Sequence, residues 1–396
     1  MRIAINGWFW DQLLTGSGQY LHHLLTHLVR IAPQHEYSLV TPKASFRFVG
    51  EEHAAAQGPD RSVLRTGQRP PEVSPAEQRR MSKPGMRKVW FEQVTFPRAC
   101  RRWQADLAHV PYWGPPLSPT VSTVTTIHDI IPLLLPEYRG SILVRTYTGL
   151  VESAAAHSAL VLTDSEASRR DILTHLALPE ERVRTVYLAA DPAFSAAPTA
   201  DDEAVRARYD LPPEYILYLG GFDVRKNLAG LLQAWTFAEG PLGGSLPLVI
   251  AGHLPQHSVF TPDPRRIAQA LEINPQTLLF PGAIAETHKP AVYRGALCYV
   301  YPSRYEGFGL TALEALSCGV PVVGSNASSI PEVVGDAGVL VSPDDARGMA
   351  GALIAIATEP ETRAHLSERA VVQAARFGWD ETARLTLTAY EEVLQA

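Results

Sequence analysis

The stretch Tyr301-Pro302-Ser303-Arg304-Tyr305-Glu306-Gly307-Phe308-Gly309-Leu310-Thr311-Ala312-Leu313-Glu314-Ala315-Leu316 decides the fold. The run Ala296 to Tyr301 is short, apolar and β-favouring, whereas Leu310, Leu313, Ala315 and Leu316 recur with helical periodicity. A strand therefore hands over to a helix across Gly307 and Gly309. The first-turn N–H groups of such a helix point out of the strand edge and carry roughly half a positive charge between them, which favours an anionic group, and the glycines let that group approach the backbone closely. Glu306 stands before the helix and Glu314 about two turns further along, so the two carboxylates address different parts of one ligand, for example sugar hydroxyls at one end and ribose hydroxyls at the other. A nucleoside diphosphate sugar carries all these groups. The competing reading is a solvated, leucine-rich helix face with two exposed glutamates.

Outward from this unit the pattern repeats. In the second half, Tyr215 to Leu219, Leu248 to Ala251, Leu278 to Phe280, Leu297 to Tyr301, Val320 to Gly324 and Val339 to Val341 read as strands separated by helical patterns. In the first half the strands are Arg2 to Asn6, Tyr37 to Val40, Asp106 to Val110, Val121 to Ile127, Ala159 to Thr163 and Val183 to Tyr187, with a helix over Gln19 to Ile31. The expected fold class is α/β, with two Rossmann-like sheets, each parallel and covered on both faces, and ligands beyond the strand C-termini in a cleft between the two halves. Small, proline-containing Ala190 to Thr199 reads as the linker, residues 50–86 as a loop of little order, and Trp379 to Leu394 as a helix.

Bulk properties narrow the function. A chain of 396 residues is too long for one ordinary core. Hydrophobic residues at 46%, charged residues at 19% and a net charge of -6 describe a folded protein whose charge does not favour nucleic acid. Cys100, Cys298 and Cys318 are too scattered for a disulfide framework or a zinc site, which fits a reducing cytoplasm. Met1-Arg2-Ile3-Ala4-Ile5-Asn6-Gly7 reads as a first strand rather than an export signal, and no apolar run approaches the ~20 residues of a membrane span. The expectation is a cytoplasmic protein, with any membrane contact peripheral at the inner face of the cell membrane.

Glu306, seven residues, then Glu314, followed by Cys318-Gly319-Val320-Pro321-Val322-Val323, resembles the signature of glycosyltransferase family 4, the retaining enzymes of GT-B fold. The turn Gly220-Gly221-Phe222-Asp223-Val224-Arg225-Lys226-Asn227 resembles the diphosphate clamp of that family, although other members carry an arginine where this chain has Gly221 or Phe222; that departure leaves Arg225 and Lys226 to supply the charge. By position alone they are equally well solvated loop cations. The chemistry needs fixed cations, because negative charge builds on the departing diphosphate when the sugar–phosphate bond breaks. No Asp-x-Asp metal triplet occurs in the chain, so metal independence is expected, with Arg225, Lys226 and the helix start at Leu310 and Thr311 replacing the ion.

The resemblance implies further roles. His128, within Thr126-Ile127-His128-Asp129, lines the donor sugar; its alternative is a structural His-Asp pair. Ser17 and Gly18, in Thr15-Gly16-Ser17-Gly18-Gln19-Tyr20, belong to a glycine loop near the donor phosphate, though a lone Gly-x-Gly is weak by itself. Gly221, Gly307, Phe308, Gly309, Leu310, Thr311 and Glu314 complete the donor-binding set, and His128, Arg225, Lys226 and Glu306 the catalytic set. His22, His23 and His27 include an i, i+4 pair without a carboxylate partner, and no metal site is assigned. Asn326 to Val333 resembles the family's closing stretch but contributes no catalytic assignment. No carboxylate in a matching motif is placed to form a covalent glycosyl intermediate, and the resemblance implies front-face attack with the leaving phosphate taking the acceptor's proton.

Residues 79–103 hold Arg79, Arg80, Lys83, Arg87, Lys88, Arg98, Arg101 and Arg102 opposed only by Glu92, interleaved with Trp90, Phe91, Phe96 and Trp103. Such a segment either rests on anionic lipid or is a helix with a polar face. The domains implied are an acceptor-binding Rossmann-like domain over 1–190, a nucleotide-sugar-binding one over 200–375, and a C-terminal helix over 376–396 packing back on the first. The block Tyr293-Arg294-Gly295-Ala296-Leu297, then Pro302 to Gly309, is most similar to bacterial mannosyltransferases of polysaccharide assembly, and this resemblance implies transfer of a hexosyl group, mannose from GDP-mannose, the donor otherwise being UDP-linked, to a saccharide or lipid-linked saccharide acceptor, without cofactor. The rivals are a nucleotide-sugar 2-epimerase of the same architecture and a sugar-binding protein without catalysis. A nicotinamide dehydrogenase would want Gly-x-Gly-x-x-Gly after the first strand, which Asn6-Gly7-Trp8-Phe9-Trp10 does not provide.

Overall fold

The computed structural model describes residues 1–13, 15–48, 84–244, 246–256 and 258–396. The loop expected over 50–86 lies outside the described residues as far as residue 83, and so do Arg79, Arg80 and Lys83. The chain divides into two compact units, one formed by Met1–Leu188 with Trp379–Ala396 and the other by Ala189–Gly378.

The first unit is built on seven strands: β1 (Arg2–Asn6), β2 (Glu36–Val40), β3 (Ser45–Phe48), β4 (Leu107–Val110), β5 (Ser122–Thr126), β6 (Leu160–Thr163) and β7 (Val183–Thr185), in the order β3-β2-β1-β4-β5-β6-β7. Six of them are parallel. Strand β3 is the exception to the all-parallel expectation: it returns antiparallel beside β2, with Val40 opposite Ser45. The cause is the tight turn at Thr41-Pro42-Lys43-Ala44, where the Thr41 hydroxyl donates to the Ala44 carbonyl at 2.8 Å and the Ala44 amide donates back to it at 3.1 Å. A four-residue reversal leaves no room for the helical crossover that parallel pairing needs.

The helix Gly16–Ile31 is capped by Thr15, whose hydroxyl accepts from the Gly18 amide, and it buries Leu21, Leu24, Leu25 and Leu28 at helical spacing. The C-terminal helix Trp379–Gln395 lies against it. Two histidines of the first helix make these contacts, His23 stacking on Trp379 at 4.7 Å and His27 Nδ1 lying 2.6 Å from Asp380, while His22 stacks on Trp10 at 3.6 Å. Deeper in the unit, Tyr390 of the C-terminal helix bonds the buried His109 at 2.7 Å.

The second unit is a six-stranded, wholly parallel sheet: β8 (Tyr215–Leu219), β9 (Leu248–Ala251), β10 (Leu278–Gly282), β11 (Ala296–Tyr301), β12 (Val322–Ser325) and β13 (Gly338–Val341), ordered β10-β9-β8-β11-β12-β13. Its central strands are buried on both faces, as continuous apolar runs such as Tyr215-Ile216-Leu217-Tyr218-Leu219 require. One core lies between the sheet and the helices Leu228–Ala238 and Ala346–Thr358, with Trp235, Leu231, Met349 and Leu353 packed on Ile216, Ile250 and Val300. Strands β8 and β11 are neighbours in the sheet, so the turns that follow them, at Gly220 and Pro302, lie side by side. Among the described residues no helix is long and apolar enough to cross a membrane.

Candidate active site

The two turns after β8 and β11 meet through one carboxylate. After Gly220 and Gly221 the chain makes a single 3-10 turn, Val224–Lys226, and Asn227 then takes a left-handed conformation (φ 54°). The Asn227 amide nitrogen fixes that bend by donating to the carbonyls of Pro302 at 3.1 Å and Pro343 at 2.8 Å. Thus held, Arg225 Nη1 donates to Glu306 Oε2 at 2.5 Å and to the Tyr305 carbonyl at 2.9 Å, while Lys226 Nζ donates to Glu306 Oε1 at 2.8 Å. The Lys226 ammonium also stands 5.5 Å from the centroid of the Tyr301 ring. Burial alone would raise the Glu306 carboxyl, but Lys226 and Arg225 beside it prevail and hold it below the usual carboxylate range. Asp223 Oδ1 lies 3.5 Å from Arg225 Nε, so two carboxylates, Asp223 and Glu306, balance the two cations at the end of the sheet.

The turn that carries Glu306 is equally fixed. The Glu306 amide donates to Ser328 Oγ at 2.8 Å, and Ser329 Oγ reaches the carbonyls of Glu306 at 2.9 Å and Phe308 at 2.7 Å. Phe308 is buried against Phe377. Gly309 adopts φ 114°, a conformation side-chain-bearing residues rarely take, and from it the helix Leu310–Ser317 starts. The amides of Ala312 and Leu313 already bond the Gly309 carbonyl, and those of Leu310 and Thr311 are the first-turn donors with no acceptor inside the helix. Arg225, Lys226, Glu306, the glycine turn and this helix start are therefore brought together in the second unit. Gly221 is exposed at its edge.

Glu314 has a different environment from Glu306. It is buried, accepts from the Tyr293 hydroxyl at 3.1 Å, and burial pushes its carboxyl up to about 7 against the opposing pull of Lys289.

His128 and the pair Ser17 and Gly18 belong to the first unit. His128 follows β5, its Nδ1 is 2.7 Å from the Asp164 carboxylate, and its ring meets Tyr20 edge-on at 5.0 Å. Burial lowers its pKa, but Asp164 and, less strongly, Asp129 outweigh that and leave it raised. Ser17 is half-buried in the first helical turn, and Gly18 is packed so tightly that a Cβ there would sit 2.1 Å from the Gln12 carbonyl oxygen. Of the basic segment, the described part runs as the helices Pro84–Trp90 and Phe96–Trp103 joined by a π-helical turn, Phe91–Thr95. Phe91, Phe96 and Trp103 are buried in the core, whereas Arg98, Arg101 and Arg102 are exposed.

Several contributors escaped the sequence. Asp164 could have been found as a polar residue ending the apolar strand Leu160–Thr163. Ser328 and Ser329 lay in a stretch given no catalytic role, and neither Tyr293 nor Tyr301, the end of a strand, was assigned to the site.

Comparison with known proteins shows the family and the fold. Residues 14–194 match the family described as Glycosyltransferase Family 4, and residues 201–372 match Glycosyl transferases group 1. The O-antigen chain mannosyltransferase B of Escherichia coli is 33% identical over 271 residues, spanning 68% of this chain and 70% of that one. The sucrose-phosphate synthase of Thermosynechococcus elongatus superposes with a TM-score of 0.71 at 21% identity, covering 100% of this chain and 99% of its own. The Anabaena protein HepE, solved in complex with UDP-glucose, gives 0.67 at 17% identity, covering 99% and 100%. The chain belongs to the group 1 and family 4 glycosyltransferases and has their GT-B fold.

Proposed function

We propose that this enzyme is a retaining, metal-independent hexosyltransferase that moves a mannosyl group from GDP-mannose to a saccharide or lipid-linked saccharide acceptor. The observation that carries this reading is the grip of Arg225 and Lys226 on Glu306 at the mouth of the helix starting at Leu310. A donor diphosphate placed there meets two cations, first-turn amides and glycines that let its oxygens approach, with Gly221, Gly307, Phe308, Gly309, Leu310 and Thr311 lining the turn. Glu306 aligns the cations and addresses the sugar, and Glu314 serves the ribose end. In the first unit His128, held by Asp164, and Ser17 and Gly18 keep the donor-binding roles that the family resemblance implies, with Nε2 the nitrogen His128 has left to donate. The C1–O bond to the diphosphate breaks, the acceptor oxygen forms its bond to the same face of C1, and the acceptor's proton passes to the departing phosphate oxygen. The leaving group's charge grows as the bond lengthens, so the fixed cations act more strongly in the transition state than before it.

The choice of mannose rests on the Escherichia coli relative, which is a mannosyltransferase. The exposed Arg98, Arg101 and Arg102 offer a basic face to a membrane that presents a lipid-linked acceptor. Thermal unfolding against a panel of GDP- and UDP-sugars, with and without EDTA, tests the donor: GDP-mannose should raise the midpoint and EDTA should leave the rise intact. Analysis of the product of a turnover reaction then decides the chemistry. An α-mannoside is expected; an epimerised free sugar formed without acceptor would instead reveal a 2-epimerase.

A further inference from the structure

Glu92 is completely buried in the first unit, on the π-helical turn Phe91–Thr95. The Tyr147 hydroxyl lies 2.9 and 3.0 Å from its two oxygens, and Lys88 Nζ lies 3.6 Å away. The Lys88 ammonium in turn faces three rings, with centroids at 4.8 Å (Tyr147), 5.0 Å (Tyr112) and 5.5 Å (Phe9). The cluster is packed closely on Gly114, where a Cβ would lie 2.5 Å from the Tyr112 ring and 2.6 Å from Glu92 Oε1. Burying an ion pair costs desolvation that an apolar cluster of the same size avoids, and π-turns mark functional positions more often than ordinary helix. The need for this cluster therefore lies outside folding.

Its place in the fold says where. Tyr112 follows β4 and donates to Asn6, the last residue of β1, at 3.2 Å, and His128 follows β5. Strands β1, β4 and β5 are consecutive and parallel, so Asn6, Tyr112 and His128 stand at one C-terminal sheet edge, the edge at which such sheets bind ligands. Lys88 keeps 24% of its side chain exposed, and Phe9 and Tyr147 are half-buried, so the cluster reaches the surface through these three residues while Glu92 is closed off from it.

We propose that Lys88, Tyr147 and Phe9 form the subsite for the acceptor's sugar ring. Lys88 donates to its hydroxyls and the aromatic faces cover its C–H surface. Glu92, closed off from solvent, is a positioning residue that orients the Tyr147 hydroxyl and the Lys88 ammonium. This rests on the saccharide acceptor proposed above.

The test uses the full chain, the donor that the thermal panel selects, and octyl α-mannoside and octyl α-mannobioside as probe acceptors. Lys88→Met should raise acceptor KM about tenfold, the worth of one lost hydrogen bond, and Tyr147→Leu, which removes the covering ring, should raise it in the same direction, with kcat and acceptor-free donor hydrolysis nearly unchanged. Glu92→Gln should shift KM the same way, and Lys88→Arg should recover part of the loss. Unaltered KM in variants that melt like the parent, or a fall confined to kcat, overturns the subsite. If the unmodified enzyme glycosylates neither probe while still hydrolysing the donor, the saccharide acceptor itself is wrong and the subsite goes with it.

Discussion

Lys226 Nζ lies 2.8 Å from Glu306 Oε1, and the same carboxylate binds Arg225 through its other oxygen, so the two cations proposed to bind the donor diphosphate are already held by a built-in anion. A donor diphosphate must share them with Glu306 or take them from it. Glu306→Gln removes one of the two carboxylates, Glu306 and Asp223, that face Arg225 and Lys226, and raises the local balance from about 0 to +1. Nucleoside diphosphate affinity is expected to hold or tighten by calorimetry, while transfer slows at least about tenfold because the cations lose their alignment. Lys226→Ala should cost ~10²–10³ in turnover, the usual penalty for losing one fixed transition-state charge. A Lys226→Ala enzyme with full turnover would remove the diphosphate from this turn.

The two glutamates of the helix-start motif should act oppositely on stability. Glu306 is held below its ordinary value, so it contributes stability that is complete above about pH 4.5 and is lost as pH falls through its folded value. Glu314 is raised to about 7 from 4.5, so between these values the folded state keeps a proton that the unfolded chain has released, and stability falls as pH rises through that window. Glu314→Gln stays neutral throughout. Chemical denaturation at pH 5 and pH 8 should therefore show the parent losing about 2–3 kcal/mol more than Glu314→Gln across that interval. Equal losses in both proteins would mean that Glu314 is ionised and solvated in the folded state.

Much of this architecture was legible because parallel strands buried on both faces must be apolar runs, and those of β8, β9 and β1 stand out with the observed limits. The strand β3 was not legible: Ser45-Phe46-Arg47-Phe48 alternates like an exposed edge, and only the Thr41 turn, a local hydrogen-bond arrangement, directs it back along β2. Within the candidate site, Glu306, Arg225 and Lys226 could be named from motif and charge. Their mutual contact could not, because 80 residues separate Lys226 from Glu306 and only the pairing of β8 with β11 closes that gap. Glu314 shows the limit of spacing arguments. Its place two turns along the helix was readable, but the Tyr293 hydroxyl that meets it comes from another helix.

Asp164 should set the pH range over which His128 works. With Nδ1 turned to Asp164, His128 donates to a sugar from Nε2 only when the ring is protonated, and Asp164 together with Asp129 keeps it protonated above the ordinary histidine range. The neighbouring His109 is pushed down to about 3, chiefly by burial and then by His128, and is neutral at working pH. Asp164→Asn removes the larger upward pull and leaves Asp129 alone against burial. The basic limb of kcat/KM should consequently move to lower pH, with the acidic limb unmoved. An unshifted basic limb would assign that limb to another group.

Three glycines separate packing from ligand approach. At Gly18 a Cβ would lie 2.1 Å from the Gln12 carbonyl oxygen and 3.1 Å from that of Phe9, backbone atoms that cannot rotate away. Gly18→Ala should destabilise the protein by about 1–3 kcal/mol through overpacking, whatever its effect on donor binding. At Gly309 the nearest atom is 3.6 Å from the same construction, so space is adequate and the obstacle is φ 114°, which costs a side-chain-bearing residue about 1–3 kcal/mol or forces the turn to relax. Because that turn sets the helix start at Leu310, Gly309→Ala should weaken nucleotide affinity even where it folds. At Gly16 nothing lies within 4 Å, and Gly16→Ala should melt within about 0.5 kcal/mol of the parent. Denaturation midpoints paired with nucleotide titrations distinguish the three. Loss of nucleotide affinity in Gly16→Ala at unchanged stability would put a ligand against the start of the first helix, whereas a Gly18→Ala protein as stable as the parent would show that the Gln12 loop yields and that packing is not what requires glycine there.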